Sequence, residues 1–173
     1  PSVAWRMHGL DENEPDMLGQ ALDLAIVRLR RDALRPPDRL LFAETMFPVC
    51  TPALGFPGTP EALAGYNLLQ EVHGNSPELD WRHWLARLGQ PSARARIVRF
   101  GSFNQAIGAA IAGAGIALGR APLVDAELAA GRLVRLFAPA EMAGGWVFAL
   151  RTRPGLARDP HVAHLRDYLL GGG

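Results

Sequence analysis

The sequence predicts an α/β fold, in which strands and helices alternate along the chain around a mainly parallel sheet. Two observations support this prediction. Residues 24–27 form an apolar run of strand length, which indicates a strand buried on both faces, as in a parallel sheet. From Asp80 onward, residues that begin and end helices alternate with further short apolar runs.

The first part of the chain is predicted to be a strand–helix–strand unit. Residues 3–7 have the pattern of a short strand, residues 16–22 that of a helix, and residues 24–27 that of the second strand. A longer extended run covers residues 40–50. We expect Pro48 to interrupt it, because proline has no N–H for a strand ladder.

The next helices are predicted from their first residues. Thr59 and Pro60 are typical of a helix start, and so is Asp80. The helix after Asp80 carries apolar residues at positions i, i+3, i+4 and i+7 before Gly89 ends it. These are Trp81, Trp84, Leu85 and Leu88.

Ser102 begins the best-defined helix, because Gln105 follows three residues later as in a capping box. One apolar stripe follows, made of Phe103, Ala106, Ile107, Ala110 and Ile111. The remaining runs predict strands over 96–100, 116–118, 133–137 and 146–150, a helix over 122–130, and a last helix from Asp159 and Pro160.

Composition excludes several classes of protein. The chain has 173 residues, 49% of them hydrophobic and 20% charged, so it is globular rather than disordered. A net charge of +1 lacks the basic excess that dominates DNA affinity, so we expect no DNA binding by this segment itself. The lone Cys50 and the lack of a secretory start predict a cytoplasmic location. No apolar run approaches the ~20 residues of a membrane span.

Five features of the sequence are candidate sites of chemistry. Around Gly113, Gly115 and Gly119 the helix comes first and the strand second, which is the reverse of a phosphate-binding loop, so turn glycines are favoured. His161 and His164 are three residues apart on a helix. A solvated face is favoured over a metal site, since no third ligand of suitable spacing is present.

Buried core positions are favoured for the single thiol and for two tryptophans. Cys50 has no neighbouring base that would make it a nucleophile, and Trp81 and Trp84 share their helix face with leucines. No G-x-S-x-G sequence or paired-carboxylate motif is present. We therefore predict no enzyme activity, no cofactor and no metal.

Two roles stay open for Ser102. It is either a helix cap alone or a cap that also presents backbone N–H groups to a ligand.

The order of several segments resembles the effector-binding domain of LysR-type transcriptional regulators, in the branch of the glycine-cleavage activator. The matching segments are the Asp-Leu-Ala-Ile run from Asp23, ETMFPVCTP from Glu44, WRHWL from Trp81, GAGIALGR from Gly113 and GRLV from Gly131. They occur in the family's order over most of the chain.

The resemblance implies a type 2 periplasmic-binding-protein-like fold of two lobes joined by two crossing strands. Lobe I would be residues 1–46 plus 151–173, and lobe II residues 47–150. The family begins this domain with a further strand and helix that have no counterpart before Pro1. The resemblance therefore implies an N-terminally truncated domain: either about 25–30 residues are absent or another chain supplies them. The family's winged helix-turn-helix has no counterpart in this sequence either.

The resemblance also implies a small-molecule effector in the interlobe cleft. Carried over by position, the effector-binding residues would be His8, Gly9, Thr45, Ser102, Phe103 and Asn104. We expect an allosteric sensor for transcription regulation, a homo-oligomer that contacts DNA only through the missing N-terminal domain and does not contact a membrane. A solute-binding protein of the same fold is the alternative, and an enzyme on the same scaffold is a third hypothesis.

Overall fold

A computed structural model describes residues 16–19, 21–72, 77–137 and 142–171. The chain forms two compact units. Unit 1 consists of the residues up to Glu44 and those from Gly145 onward, and unit 2 consists of Thr45–Gly144. The strand predicted over 3–7 lies outside the described residues. The lobe boundaries implied by the resemblance stay a prediction.

Seven strands and four α-helices lie within the described ranges. The strands are β1 (Leu24–Arg30), β2 (Arg39–Cys50), β3 (Asn67–Glu71), β4 (Arg96–Phe100), β5 (Ile116–Ala121), β6 (Val134–Arg135) and β7 (Met142–Thr152). The helices are α1 (Trp81–Arg87), α2 (Phe103–Ile111), α3 (Asp125–Ala129) and α4 (Pro160–Leu169).

In unit 1, β1 is antiparallel to β7, with Leu24 opposite Thr152 and Arg30 opposite Trp146. Its side chains alternate: Val27 and Leu29 are buried, whereas Ile26 is 58% exposed. The prediction of a parallel strand buried on both faces was therefore wrong. A run of four apolar residues is too short to distinguish double burial from a strand with one solvated face.

The helix predicted over residues 16–22 was also wrong. Residues 17–19 form a turn, in which the Asp16 carboxylate accepts the N–H groups of Leu18 at 3.2 Å and Gly19 at 2.9 Å. Ala21 then takes a positive φ of 52°. Short polar side chains that bind nearby backbone N–H groups compete with helix formation, and here the turn is formed instead.

Unit 2 contains a mixed sheet. Strand β5 lies between β2, to which it is antiparallel, and β3, to which it is parallel. β4 adds to β3 in parallel, and β6 adds to β2 in antiparallel. The prediction of a mainly parallel sheet was wrong, because the ladders β1–β7, β2–β5 and β2–β6 are antiparallel and those of β3 with β4 and β5 are parallel.

β2 continues through Pro48 without the predicted interruption. Pro48 lies opposite Leu118 in the ladder with β5, and its carbonyl accepts the N–H of Leu136 at 2.9 Å. The missing N–H of proline therefore does not end the strand.

The segment after Thr59 also differs from the prediction. Pro60–Gly65 is a 3-10 helix, and the Thr59 side chain makes no capping bond.

The other three predicted helix starts, at Asp80, Ser102 and Asp159, are confirmed as capped. Asp80 accepts the N–H of Arg82 at 2.8 Å, and Asp159 accepts those of His161 and Val162. The Ser102 hydroxyl accepts the N–H of Gln105. Each cap satisfies an N–H that has no partner within its own helix.

The core of unit 2 is built around the two tryptophans, and their predicted core position is confirmed. Both are fully buried; the indole N–H of Trp81 donates to Leu69 O at 3.0 Å and that of Trp84 to Glu78 O at 2.9 Å. Cys50 packs in the same core, where burial raises the pKa of its thiol. A buried thiol held in its neutral form is a core residue rather than a nucleophile.

Gly113 and Gly115 belong to the turn that ends α2, as predicted, whereas Gly119 lies within β5, so its predicted place in the turn was wrong. Gly113 has a φ of 82°, and the Asn67 side chain donates to Ala114 O at 3.0 Å. Gly115 packs so closely on β3 that a Cβ there would lie 2.2 Å from the Asn67 carbonyl oxygen. This position therefore has no room for a side chain.

We expect Gly115→Ala to lower the free energy of unfolding by about 1–3 kcal/mol, because the added methyl group must push two backbone segments apart. Gly108→Ala is the matched control: Gly108 lies in the exposed face of α2, and a Cβ there would meet no atom within 4 Å. It should stabilise the protein by about 0.5–1 kcal/mol. Urea unfolding monitored by circular dichroism measures both; equal effects of the two variants would contradict the close approach.

Candidate functional site

The parallel strands of unit 2 bring three chain segments to one edge. Because β3 runs parallel to β4 and β5, their last residues, Glu71, Phe100 and Ala121, lie at the same edge of the sheet. α2 follows β4 after two residues, so its N-terminus lies at that edge too. In α/β proteins, ligands bind outside the carboxyl ends of such strands. We call this place the carboxyl edge.

Four of the six predicted site residues belong to the carboxyl edge. Thr45 lies opposite Ala121 in the β2–β5 ladder. Ser102, Phe103 and Asn104 are the cap and first two residues of α2. Thr45, Ser102 and Phe103 are half-buried and Asn104 is exposed. His8 and Gly9 lie outside the described residues.

A buried arginine completes the carboxyl edge, and the sequence analysis missed it. The Arg120 side chain is only 7% exposed, and its Nη2 donates to a carboxylate oxygen of Glu71, which is 23% exposed. The Arg120 guanidinium also lies over the Phe103 ring, 4.6 Å from the ring centroid. One guanidinium therefore contacts both the end of β3 and the start of α2.

The sequence did contain a signal for Arg120. β5 reads IALGRA, and Arg120 is the one charged residue in this otherwise buried strand. A charge at the carboxyl end of a buried strand requires a partner, since an isolated buried charge is costly. Glu71, the last residue of the neighbouring β3, is that partner.

The chemistry of the carboxyl edge suits recognition of an anion or of a hydrogen-bond acceptor. The first N–H groups of a helix point out of its N-terminus, which carries a partial positive charge. The first turn of α2 contains no acidic residue that would oppose an anion. The Thr45 and Ser102 hydroxyls add hydrogen-bonding groups, and the Phe103 ring adds an apolar surface.

The described residues support neither a metal site nor a membrane-spanning helix. In ranges 16–19, 21–72, 77–137 and 142–171, no three His, Cys, Asp or Glu side chains stand close enough to hold a metal ion. His161 and His164 both lie on α4 in unit 1. The helices that the structure describes are all too short or too polar to cross a membrane.

Comparison with known proteins gave one family. The family model described as LysR substrate binding domain matches residues 1–172. The glycine cleavage system transcriptional activator of Escherichia coli (strain K12) is 31% identical over 140 residues, which is 78% of this chain and 44% of the relative. The chain thus spans less than half the length of that relative.

Solved structures show the same fold at lower identity. The AmpR effector binding domain from Citrobacter freundii matches with a TM-score of 0.71 and 22% identity, over 92% of this chain and 78% of that domain. The CrgA regulatory domain from Neisseria meningitidis, a LysR-type transcriptional regulator, matches with a TM-score of 0.64 and 21% identity, over 89% and 76%. The predicted fold class is confirmed.

We expect Glu71→Gln to lower the free energy of unfolding by about 1–3 kcal/mol, because the buried Arg120 guanidinium loses its charged acceptor. Glu127→Gln is the matched control. Its hydrogen bond from Arg132 lowers the pKa of the Glu127 carboxyl, but that pair lies at the solvent-exposed surface and should contribute little. Thermal unfolding measures both variants. If Glu71→Gln unfolds with the wild-type midpoint, the pair does not hold the carboxyl edge together.

Proposed function

Since the chain belongs to the LysR substrate-binding domain family, we propose that it is the effector-sensing domain of a bacterial LysR-type transcription regulator. A small metabolite would bind at the carboxyl edge of unit 2. The observation that supports this most directly is that a capped helix N-terminus, Thr45 of β2 and a buried arginine lying over the Phe103 ring all belong to this edge. Another part of the protein would bind DNA.

Each residue of the carboxyl edge has a proposed role. The N–H groups of Phe103 and Asn104 would donate to an anionic or carbonyl oxygen of the effector, as helix N-termini do. The Ser102 and Thr45 hydroxyls would fix its orientation, and the Phe103 ring would cover its apolar part. His8 and Gly9 enter the proposal from the family resemblance alone.

A regulator accounts for these observations better than the other two hypotheses. The matching family model and the relative are those of transcriptional regulators, which disfavours a solute-binding protein of a transporter. The sole cysteine does not supply a nucleophile, because its thiol is buried and burial raises the thiol pKa. With a net charge of +1, the chain itself lacks the excess of basic side chains that binds DNA phosphates. A protein that controls transcription would work in the cytoplasm.

Sensing requires that the effector bind one state of the regulator more tightly than another, since equal affinity shifts no equilibrium. The effector would therefore change the structure or order of the residues around α2. That change would alter the affinity of the regulator for DNA. The size of the alteration is the coupling free energy between the effector and DNA.

A thermal-shift screen of metabolites against this chain tests the proposal, because a ligand that binds only the folded state raises the melting temperature. For a metabolite that does so, we expect Ser102→Ala to weaken binding about tenfold, from the loss of one hydrogen bond to a polar ligand group. Asp80→Ala is the matched control: it removes the cap of α1 in the same unit. It should lower the melting temperature similarly but leave the affinity unchanged.

Two results would contradict the proposal. One is a complete screen in which no metabolite raises the melting temperature of the chain. The other is a metabolite that binds equally well to wild type and to the Ser102→Ala and Thr45→Val variants, because binding would then not involve the carboxyl edge.

Self-association is also part of the proposal. The strands of unit 1 expose apolar side chains, with Ile26 58% exposed and Leu40 41% exposed, and the half-buried Phe42 and Phe148 rings lie 4.9 Å apart between centroids. Exposed apolar surface of this kind is typical of interfaces. Light scattering over a concentration series should show a homo-oligomer, and Ile26→Arg should weaken it. A monomer at all concentrations would contradict this part.

A further inference from the structure

A cavity of unit 2 lies at the edge of the sheet opposite the carboxyl edge, where β3 and β4 begin. Two 3-10 helices, Pro60–Gly65 and Ser92–Arg94, lead into these strands and form part of its wall. The cavity has a volume of about 180 Å³. Since β3 is five residues long, this cavity is about 16 Å from the carboxyl edge. We call it the amino-edge cavity.

The floor of the amino-edge cavity is apolar and its rim is polar. Leu63, Leu68 and Leu85 line the floor, and all three are almost completely buried. Glu61, Gln90 and Arg94 line the rim. An apolar surface with a few convergent polar groups is the usual composition of a small-molecule site.

The two charges on the rim are opposite and do not pair. Within the part of the chain that the structure describes, Glu61 and Arg94 form no ion pair with each other or with any other residue. The Glu61 carboxylate receives only a long hydrogen bond from Gln90 Nε2, at 3.4 Å. Gln90 is held in turn by its own bond to Leu88 O, also at 3.4 Å. Glu61 and Arg94 therefore line the same cavity as the three leucines, and neither is engaged in an ion pair with another described residue.

We propose that the amino-edge cavity binds a small zwitterion, an α-amino acid with a short aliphatic side chain. Its carboxylate pairs with the Arg94 guanidinium, which suits planar carboxylates, and its ammonium group pairs with Glu61. The aliphatic side chain packs on the three leucines. The cavity is smaller than the ~300 Å³ at which pockets for drug-sized ligands begin, so aromatic amino acids are excluded. This site does not depend on the function proposed for the carboxyl edge.

Isothermal titration with L-valine, up to on the order of 10 mM because a two-contact ligand binds weakly, tests the proposal. Isovalerate lacks the ammonium group of valine, isobutylamine lacks its carboxylate, and L-tryptophan is too large. We expect L-valine to bind at least tenfold more tightly than each of these three compounds. Arg94→Gln and Glu61→Gln should each weaken L-valine binding at least tenfold.

Both variants change exposed side chains, so they should fold normally, as circular dichroism will verify. Arg87→Gln, a change of an exposed arginine on α1 that does not line the cavity, should leave the affinity for L-valine unchanged. So should Ser102→Ala, which alters only the carboxyl edge. The proposal is overturned if L-valine does not bind, if isovalerate or isobutylamine binds as well, or if Ser102→Ala weakens binding while Arg94→Gln does not.

Discussion

The burial of one charge, the Arg120 guanidinium at the end of β5, constrains the arrangement of the carboxyl edge. A guanidinium that is almost removed from water requires a charged acceptor, and the last residue of β3 supplies one in Glu71. The same group needs cover on its flat face, which the Phe103 ring provides from the first turn of α2. The end of β3, the end of β5 and the start of α2 are thereby held together, and Thr45 joins them through its place opposite Ala121.

The sequence correctly predicted those elements whose formation depends on residues close together along the chain. The caps at Asp80, Ser102 and Asp159 place three helix starts correctly, because a capping bond spans only two or three residues. Long-range pairing was not predictable in this way. Nothing within residues 24–27 shows that β1 pairs with a strand more than a hundred residues later and leaves Ile26 exposed. The helix predicted from Asp16 was wrong for another reason, because aspartate begins turns as readily as it begins helices.

The candidate site was predictable only in part. Ser102 was recognisable as a helix cap from the sequence, but its assignment to the site, like that of Phe103, Asn104 and Thr45, came from the family resemblance. Arg120 and Glu71 were missed because they lie 49 residues apart, and their pairing depends on the order of strands in the sheet. Once β3 and β5 are known to be parallel neighbours, a charge at the end of each indicates the pair. Sheet topology, rather than any motif, was the missing information.

An effector site at the carboxyl edge can be tested by the backbone amide chemical shifts of the protein saturated with the metabolite that most raises its melting temperature. An effector at the carboxyl edge must change the N–H environments at the start of α2 and at the end of β5. We predict that the largest shift changes fall on residues 102–105 and on Arg120, while β1 and α4 change little. Large changes confined to β1 and α4, with residues 102–105 unaffected, would contradict an effector site at the carboxyl edge.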